Sequence, residues 1–327
     1  MKLQVPFIQL PLAFDAGRLE AEIAALGEDA WRPHPQGFAG NSMLPLVAAH
    51  GSLTDESFAE PMQATPHLLA CPYLQQVMAS FGAVLGRSRL MRLSGMAEVT
   101  RHADHGYYWV ERVRIHVPIV TQPTVRFDCG DASVHMGAGE CWVFDTWRQH
   151  NVINDAVAAR IHLVADSVGG PGLWDLMSRG RRIEALQASA PVAPVPVPFR
   201  EGETPRLVFE SSNVPIVMSP WELNAHLGFL LGEALPHPQA AVVQQHVARL
   251  ARRWRALWAE HGDAPSGHAQ FRALFQQFVA DVRAPSQGMA LRNELGWYDA
   301  MRQMIEAFCV RSDSTAPYDA RAVGDNA

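Results

Sequence analysis

Lysine is all but missing: Lys2 is the only one among 27 basic residues, and the others are arginines. We read that as a mark of genomic base composition and attach no function to it. Cysteine is scarce too. Cys71, Cys129, Cys141 and Cys309 form no CxxC pair, which argues against a disulfide frame or a zinc site and fits buried thiols in a reducing cytoplasm. No apolar run is long enough to span a bilayer. The start pairs one lysine with an apolar stretch, but Pro6, Pro11 and the lack of a small-residue cleavage site spoil a signal peptide. A net charge of −6 and a pI near 6.1 leave no basic surface for nucleic acid. No internal repeat is visible.

What remains is an ordinary globular composition, 48% hydrophobic and 18% charged over 327 residues, enough for one large domain or two smaller ones. Residues 1–12 read as an edge strand, Ala16 to Leu26 as a helix, 31–46 as a loop and 55–65 as irregular. A helix from Cys71 to about Leu85 leads to a strand over Arg89 to Val99. From there short strands follow one another: Arg112 to Val120, Val125 to Asp128, Ser133 to Met136, Glu140 to Trp147 and Arg160 to Ser167, with 151–159 as a loop. In Arg112 to Val120 the apolar Val113, Ile115, Val117 and Ile119 face one way and Arg112, Arg114 and His116 the other. Such a run of strands and turns implies a β sandwich or barrel whose polar side lines a cavity.

A short helical piece reaches Gln187, and the proline-rich segment 188–206 reads as a stiff linker. A strand pair is expected over Leu207 to Met218. Ser219, Pro220 and Glu222 then announce a helix start with a capping box. Three apolar stripes follow, through Val243 to Trp258, Phe271 to Val279, and Leu291 to Ile305. The chain thus divides into a barrel domain (1–187), a linker (188–206), a helical region (207–311) and a disordered tail (312–327).

Chemistry concentrates between residues 102 and 166. On a strand, His102 and Asp104 share a face and bind one ion together. His150 completes a set of two histidines and a carboxylate, which leaves open positions on a non-haem Fe(II) ion. Arg160, ten residues after His150, projects from an alternating strand and is shaped to grip a carboxylate with two hydrogen bonds. Taken singly, each of these residues has a bland explanation as a core histidine or a surface aspartate. Their joint order is what singles them out.

That order, His-x-Asp, then Arg-x-His on a strand, then His and an Arg ten residues on, resembles the aspartyl/asparaginyl β-hydroxylase family over roughly residues 85–170. These are Fe(II)- and 2-oxoglutarate-dependent dioxygenases, and bacterial L-proline cis-4-hydroxylases are among their relatives. The animal peptidyl enzymes carry Gly where this chain has Asp104, so it resembles the members with a full triad. The resemblance implies an α+β protein with a double-stranded β-helix (jelly-roll, cupin-like) core and flanking helices. It implies iron on His102, Asp104 and His150, 2-oxoglutarate bound by Arg160 with His116 and Arg114, and O2 as oxidant. His105 competes for the first ligand position, since its spacing to His116 matches the shorter loop of some relatives; His102 is preferred because it alone supplies the His-x-Asp pair. His135 and His162 read as fillers or as groups that steady others, and Asp145 and Asp166 as orienting acids. Substrate is expected to enter over Tyr107, Tyr108, Trp109 and Trp147, with Arg92 near the mouth. The implied reaction is hydroxylation of peptidyl Asp or Asn, or of a free amino acid such as proline. A cupin-like binding protein without turnover is the alternative from another class. The substrate, the role of the helical region and a homodimer are left open.

Overall fold

The computed structural model describes residues 1–327 apart from 36, 184–192, 212, 313–317 and 319–327. Ten strands build its centre: β1 (Phe7–Phe14), β2 (Asn41–Ala49), β3 (Val84–Leu93), β4 (Glu98–His102), β5 (Val113–Val120), β6 (Val125–Cys129), β7 (Ala132–Val134), β8 (Glu140–Phe144), β9 (His150–Asn154) and β10 (Arg160–Gly169). They form two sheets, β1-β8-β5-β10-β3-β2 and β4-β9-β6-β7. From β3 to β10 the chain crosses from one sheet to the other at nearly every step. That winding is a double-stranded β-helix, the fold expected.

Alternation separates two interiors. On β5 and β10 the side chains of Val113, Ile115, Val117, Leu163 and Ala165 join a core shared with the helices. The opposite face turns toward the smaller sheet, where Phe7, Phe127, Trp142 and Phe144 pack as a second core between the sheets. His116 and Arg160 stand on that inner side, because their neighbours in sequence are committed to the outer one.

Several elements differ from expectation. The expected loop 31–46 is not a loop throughout: from Asn41 onward β2 lies along β3, with a register shift after Pro45. Both faces of β2 are covered, so it reads as a continuous apolar run with no alternation to announce it. β1 is not an edge; β8 flanks it on one side, and Arg181–Ile183 and Val195–Val197 on the other. Val195–Val197, inside the segment expected as a linker, therefore runs parallel to β1. Within 151–159 the first residues continue β9, and Met62–Ala64 pairs with β2. The expected strand pair near 207–218 is reduced to Val208–Phe209 on β3 and a single bridge from Val217 to Val310.

Helix Pro220–Glu233 begins as the sequence indicates, with Ser219 accepting from the Glu222 amide. The Glu222 carboxylate accepts instead from the Tyr107 hydroxyl. Helices Ala240–His261 and His268–Arg283 pack on each other, the first stopped at Gly262 with φ 57°. The third stripe is helical only in its second part: residues 291–296 are irregular, Trp297–Met301 is α-helical, and a wider helical turn follows over Arg302–Glu306. Of the expected tail beyond Ser312, Tyr318 is buried against Phe58 and Phe308, and the rest lies outside the described residues. All four cysteines are free and buried. No helix among the described residues is long and apolar enough to cross a membrane.

Candidate metal centre

His102 ends β4, and His150 opens β9 directly opposite it. Between these strands the register slips: His102 pairs with His150, while Val99 pairs with Val152. Three steps on β4 therefore match two on β9, a bulge at residues 100–101. Plain alternation would put residue 101 on the side of Val99. The extra residue turns His102 into the cavity beside Val99.

Asp104 follows the strand rather than lying in it. Its amide donates to the Thr146 carbonyl at 2.9 Å, which ties it to the turn before His150. Ligating atoms of His102, Asp104 and His150 all fall within 4.8 Å of one another, and the three residues are buried. The ring atoms are preset. His102 Nδ1 lies 2.7 Å from the Thr100 carbonyl and His150 Nδ1 2.9 Å from the Arg148 carbonyl. A carbonyl only accepts, so each Nδ1 carries the proton and each Nε2 keeps its lone pair, as a metal ligand requires. Both Nε2 atoms are buried without a hydrogen-bond partner. Burial, and then the neighbouring His102, hold His150 well below the usual histidine range, which keeps it neutral. The donor set fits a divalent transition metal. His105, the competing ligand, is turned aside to the Ala103 carbonyl at 2.8 Å.

Arg160 lines the same cavity. Its Nη2 is 2.9 Å from His162 Nδ1, its Nε has no hydrogen-bond partner, and burial pushes it down to about 9. His116 shares the cavity, its Nδ1 3.4 Å from His162 Nδ1 and its Nε2 buried without a partner. Arg114 stands elsewhere in the network. Its Nε donates to Asp166 at 2.9 Å, its Nη1 lies 3.5 Å from Asp104 Oδ2, and it packs on the Trp109 ring. It steadies the Asp104 carboxylate and does not line the cavity around the histidines.

None of the residues expected at a substrate rim lines the cavity around the histidines. Tyr107 is stacked on Phe308 and bonded to Glu222. Tyr108 is buried between Phe58 and the Arg112 guanidinium. Trp109 lies under Arg114, and Trp147 meets Phe229 and Glu233. The helical region covers Tyr107 and Trp147 in this way. Arg92 pairs with Glu28 and covers Trp31, away from the cavity. The walls around the histidines come instead from Met91, Val99, Phe127, Val152 and Val164. His162, read as a filler or as a group that steadies others, does the second, bracing Arg160. Its position two residues after Arg160 on a strand was the available signal.

Residues 50–169 match the family model described as Aspartyl/Asparaginyl beta-hydroxylase. It is the family the motif pattern resembles. The hydroxylase match takes in the triad, Arg114, His116 and Arg160, and leaves the helical region outside it. No curated protein matches the chain. Among solved structures, a Pseudomonas putida prolyl-4-hydroxylase is similar at 17% identity, covering 50% of this chain and 92% of its own, with TM-score 0.36. HygX from Streptomyces hygroscopicus, solved with nickel, 2-oxoglutarate and hygromycin B, is similar at 12% identity over 51% and 84%, with TM-score 0.34. A Trichoplax adhaerens prolyl hydroxylase with a hypoxia-inducible-factor peptide is similar at 10% identity over 50% and 84%, with TM-score 0.35.

Proposed function

We propose that the protein is an Fe(II)- and 2-oxoglutarate-dependent dioxygenase that hydroxylates an unactivated C–H bond of an amino-acid side chain, in a peptide or a free amino acid. One observation carries this. Two neutral imidazole nitrogens and a carboxylate converge on one point, and a buried guanidinium opens into the same cavity with no carboxylate beside it among the described residues. A buried cation without a counter-charge is costly, and a bound carboxylate offsets that cost.

His102, Asp104 and His150 would hold the iron. Arg160 would bind the distal carboxylate of 2-oxoglutarate, with His162 fixing the guanidinium from one side. Arg114 holds Asp104 and Asp166 apart from each other and in place. The apolar walls keep water from the reacting centre. When bound, iron with 2-oxoglutarate and O2 supplies the oxidising power, giving succinate and CO2 beside the hydroxylated product. A binding protein without turnover has no need of an intact triad together with Arg160, which makes that reading the weaker one.

The test is a turnover screen of the Fe(II)-loaded protein over free amino acids, proline included, and Asp- or Asn-containing peptides. The readouts are succinate release and a one-oxygen mass gain. Product from a peptide at the β-carbon, or from free proline at C4, decides between the two substrate classes. No Fe(II)-dependent succinate under any condition sinks the proposal.

A further inference from the structure

We infer that the helical region sets the positions of both metal-binding histidines through one short loop, with Asn293 and Glu294 as positioning residues; this rests on the metal reading above. His150 is delivered by the turn at residues 145–149. Three polar groups of that turn are taken up by residues more than 80 positions away. Trp147 Nε1 donates to Glu233 Oε2 at 3.0 Å, the Trp147 carbonyl accepts from Asn293 Nδ2 at 3.0 Å, and Gln149 Nε2 donates to the Asn293 carbonyl at 2.8 Å. Trp147, Glu233 and Asn293 are all buried, so these bonds do not exchange freely with water. The amide of Arg292 donates to the Glu233 carbonyl, which joins the two anchoring points into one unit.

The same loop reaches the other histidine. Arg101, next to His102 at the bulge of β4, makes a two-pronged pair with Glu294, both contacts at 2.9 Å. Glu294 adopts φ 73°, a left-handed conformation that Gly takes more readily than any residue with a Cβ. A side chain is kept there despite the strain, and its carboxylate meets Arg101. Both groups are more than half exposed, so the pair adds little to stability. Its effect is placement: β4 and the turn before β9 are pinned to adjacent residues of one loop, and the spacing of the two imidazoles follows from where that loop sits.

The test is Co(II) binding by the full chain without co-substrate, followed by visible absorption, so that no turnover is needed. Wild type is compared with Asn293→Ala, Asn293→Asp, Arg101→Glu and the charge-swapped Arg101→Glu/Glu294→Arg. Asn293→Asp keeps the shape and the bond to the Leu295 amide and replaces the donor to Trp147 with a charged acceptor. Groups that orient ligands typically change metal affinity about 10–100-fold. We expect about tenfold weaker Co(II) binding in both Asn293 variants, a smaller loss in Arg101→Glu and recovery in the swapped pair. The unfolding midpoint of the metal-free protein is read in parallel. Asn293 variants with a lowered midpoint but wild-type Co(II) affinity would mean packing only and overturn the inference. Failure of the swapped pair to recover overturns the part played by Glu294. Wild-type protein that takes up no Co(II) overturns the metal reading itself.

Discussion

Arg160 and His162 point the same way from strand β10, with Nη2 and Nδ1 2.9 Å apart inside the barrel. A guanidinium can only donate, so His162 Nδ1 accepts and its proton sits on Nε2. The neutral imidazole braces the cation without cancelling its charge, which stays available for an incoming carboxylate.

Removing Arg160 should therefore act on co-substrate affinity and spare the metal. Truncating one partner of a buried charge pair costs about 2–5 kcal/mol, and each ~1.4 kcal/mol is tenfold in affinity. Arg160→Ala should raise the half-saturating 2-oxoglutarate concentration by about 30-fold or more with Fe(II) saturating. Arg160→Lys should recover only part of that, since an ammonium lacks the two-pronged geometry. In addition, 2-oxoglutarate at 100 times its Kd should stabilise the metal-loaded wild type by about 2.7 kcal/mol and the Ala variant, at the same concentration, by about 0.9 kcal/mol or less. An unchanged half-saturation in Arg160→Ala refutes the role.

His102→Ala and His150→Ala should each abolish Fe(II)-dependent succinate formation. In the metal-free protein each variant loses an unpartnered Nε2 together with the Nδ1 bond to the Thr100 or Arg148 carbonyl, so a stability loss of about 1–3 kcal/mol is expected and not unfolding. Asp104→Gly should keep some activity, as relatives with Gly at this position imply, and Arg114 retains Asp166 as an anchor. Succinate at wild-type levels in either histidine variant would end the assignment.

Glu210 and Arg112 form a two-pronged pair, 2.7 and 2.9 Å, in which both side chains are nearly inaccessible. Glu210→Ala leaves Arg112 buried and uncompensated, and chemical denaturation should show a loss of about 3–5 kcal/mol. Replacing both residues with apolar ones of similar volume should recover most of it. A loss under about 1 kcal/mol in the single variant would show that Arg112 finds water.

Acid should weaken the metal-free protein early. Burial, with Arg160 close by, holds His116 and His162 well below the usual histidine value. In the unfolded chain they titrate near ~6.5, so below that pH the unfolded state binds more protons than the folded state. Stability is full above that value and is lost as pH falls, by up to about 1.4 kcal/mol per pH unit for each such histidine. Urea unfolding at several pH values between neutrality and mild acid measures the slope, and His162→Asn should make it shallower. A slope identical to wild type in His162→Asn would contradict the burial of a neutral imidazole.

Strands with one apolar and one polar face were legible in the sequence, and β5 and β10 carry the clearest alternation and much of the site. β2 was not, because a strand covered on both sides has no period to read. β9 was hidden by its polar His150, Asn151 and Asn154, which local propensity assigns to a loop. The ligand trio was legible as a motif, yet the bulge that aims His102 has no local signature. Tyr107, Tyr108 and Trp147 looked like a rim because an aromatic cluster beside a site suggests one. Their partners Phe308, Phe58 and Glu233 are far away in the chain, and only the fold shows that the cluster is covered.

The bulge in β4 makes chain length itself part of the ligand set. If one residue were inserted between His150 and Val152, every side chain of the trio would survive in the sequence, but three steps on β4 would match three on β9 with no bulge between them. Plain alternation over three steps would then set the histidine and Val99 on opposite faces. Related chains should consequently vary in length at the turns around 121–124 and 155–159, and keep an even count from His150 to Val152 opposite the histidine that ends β4. A deletion scan through 96–104, scored for Co(II) binding, would trace that boundary one residue at a time.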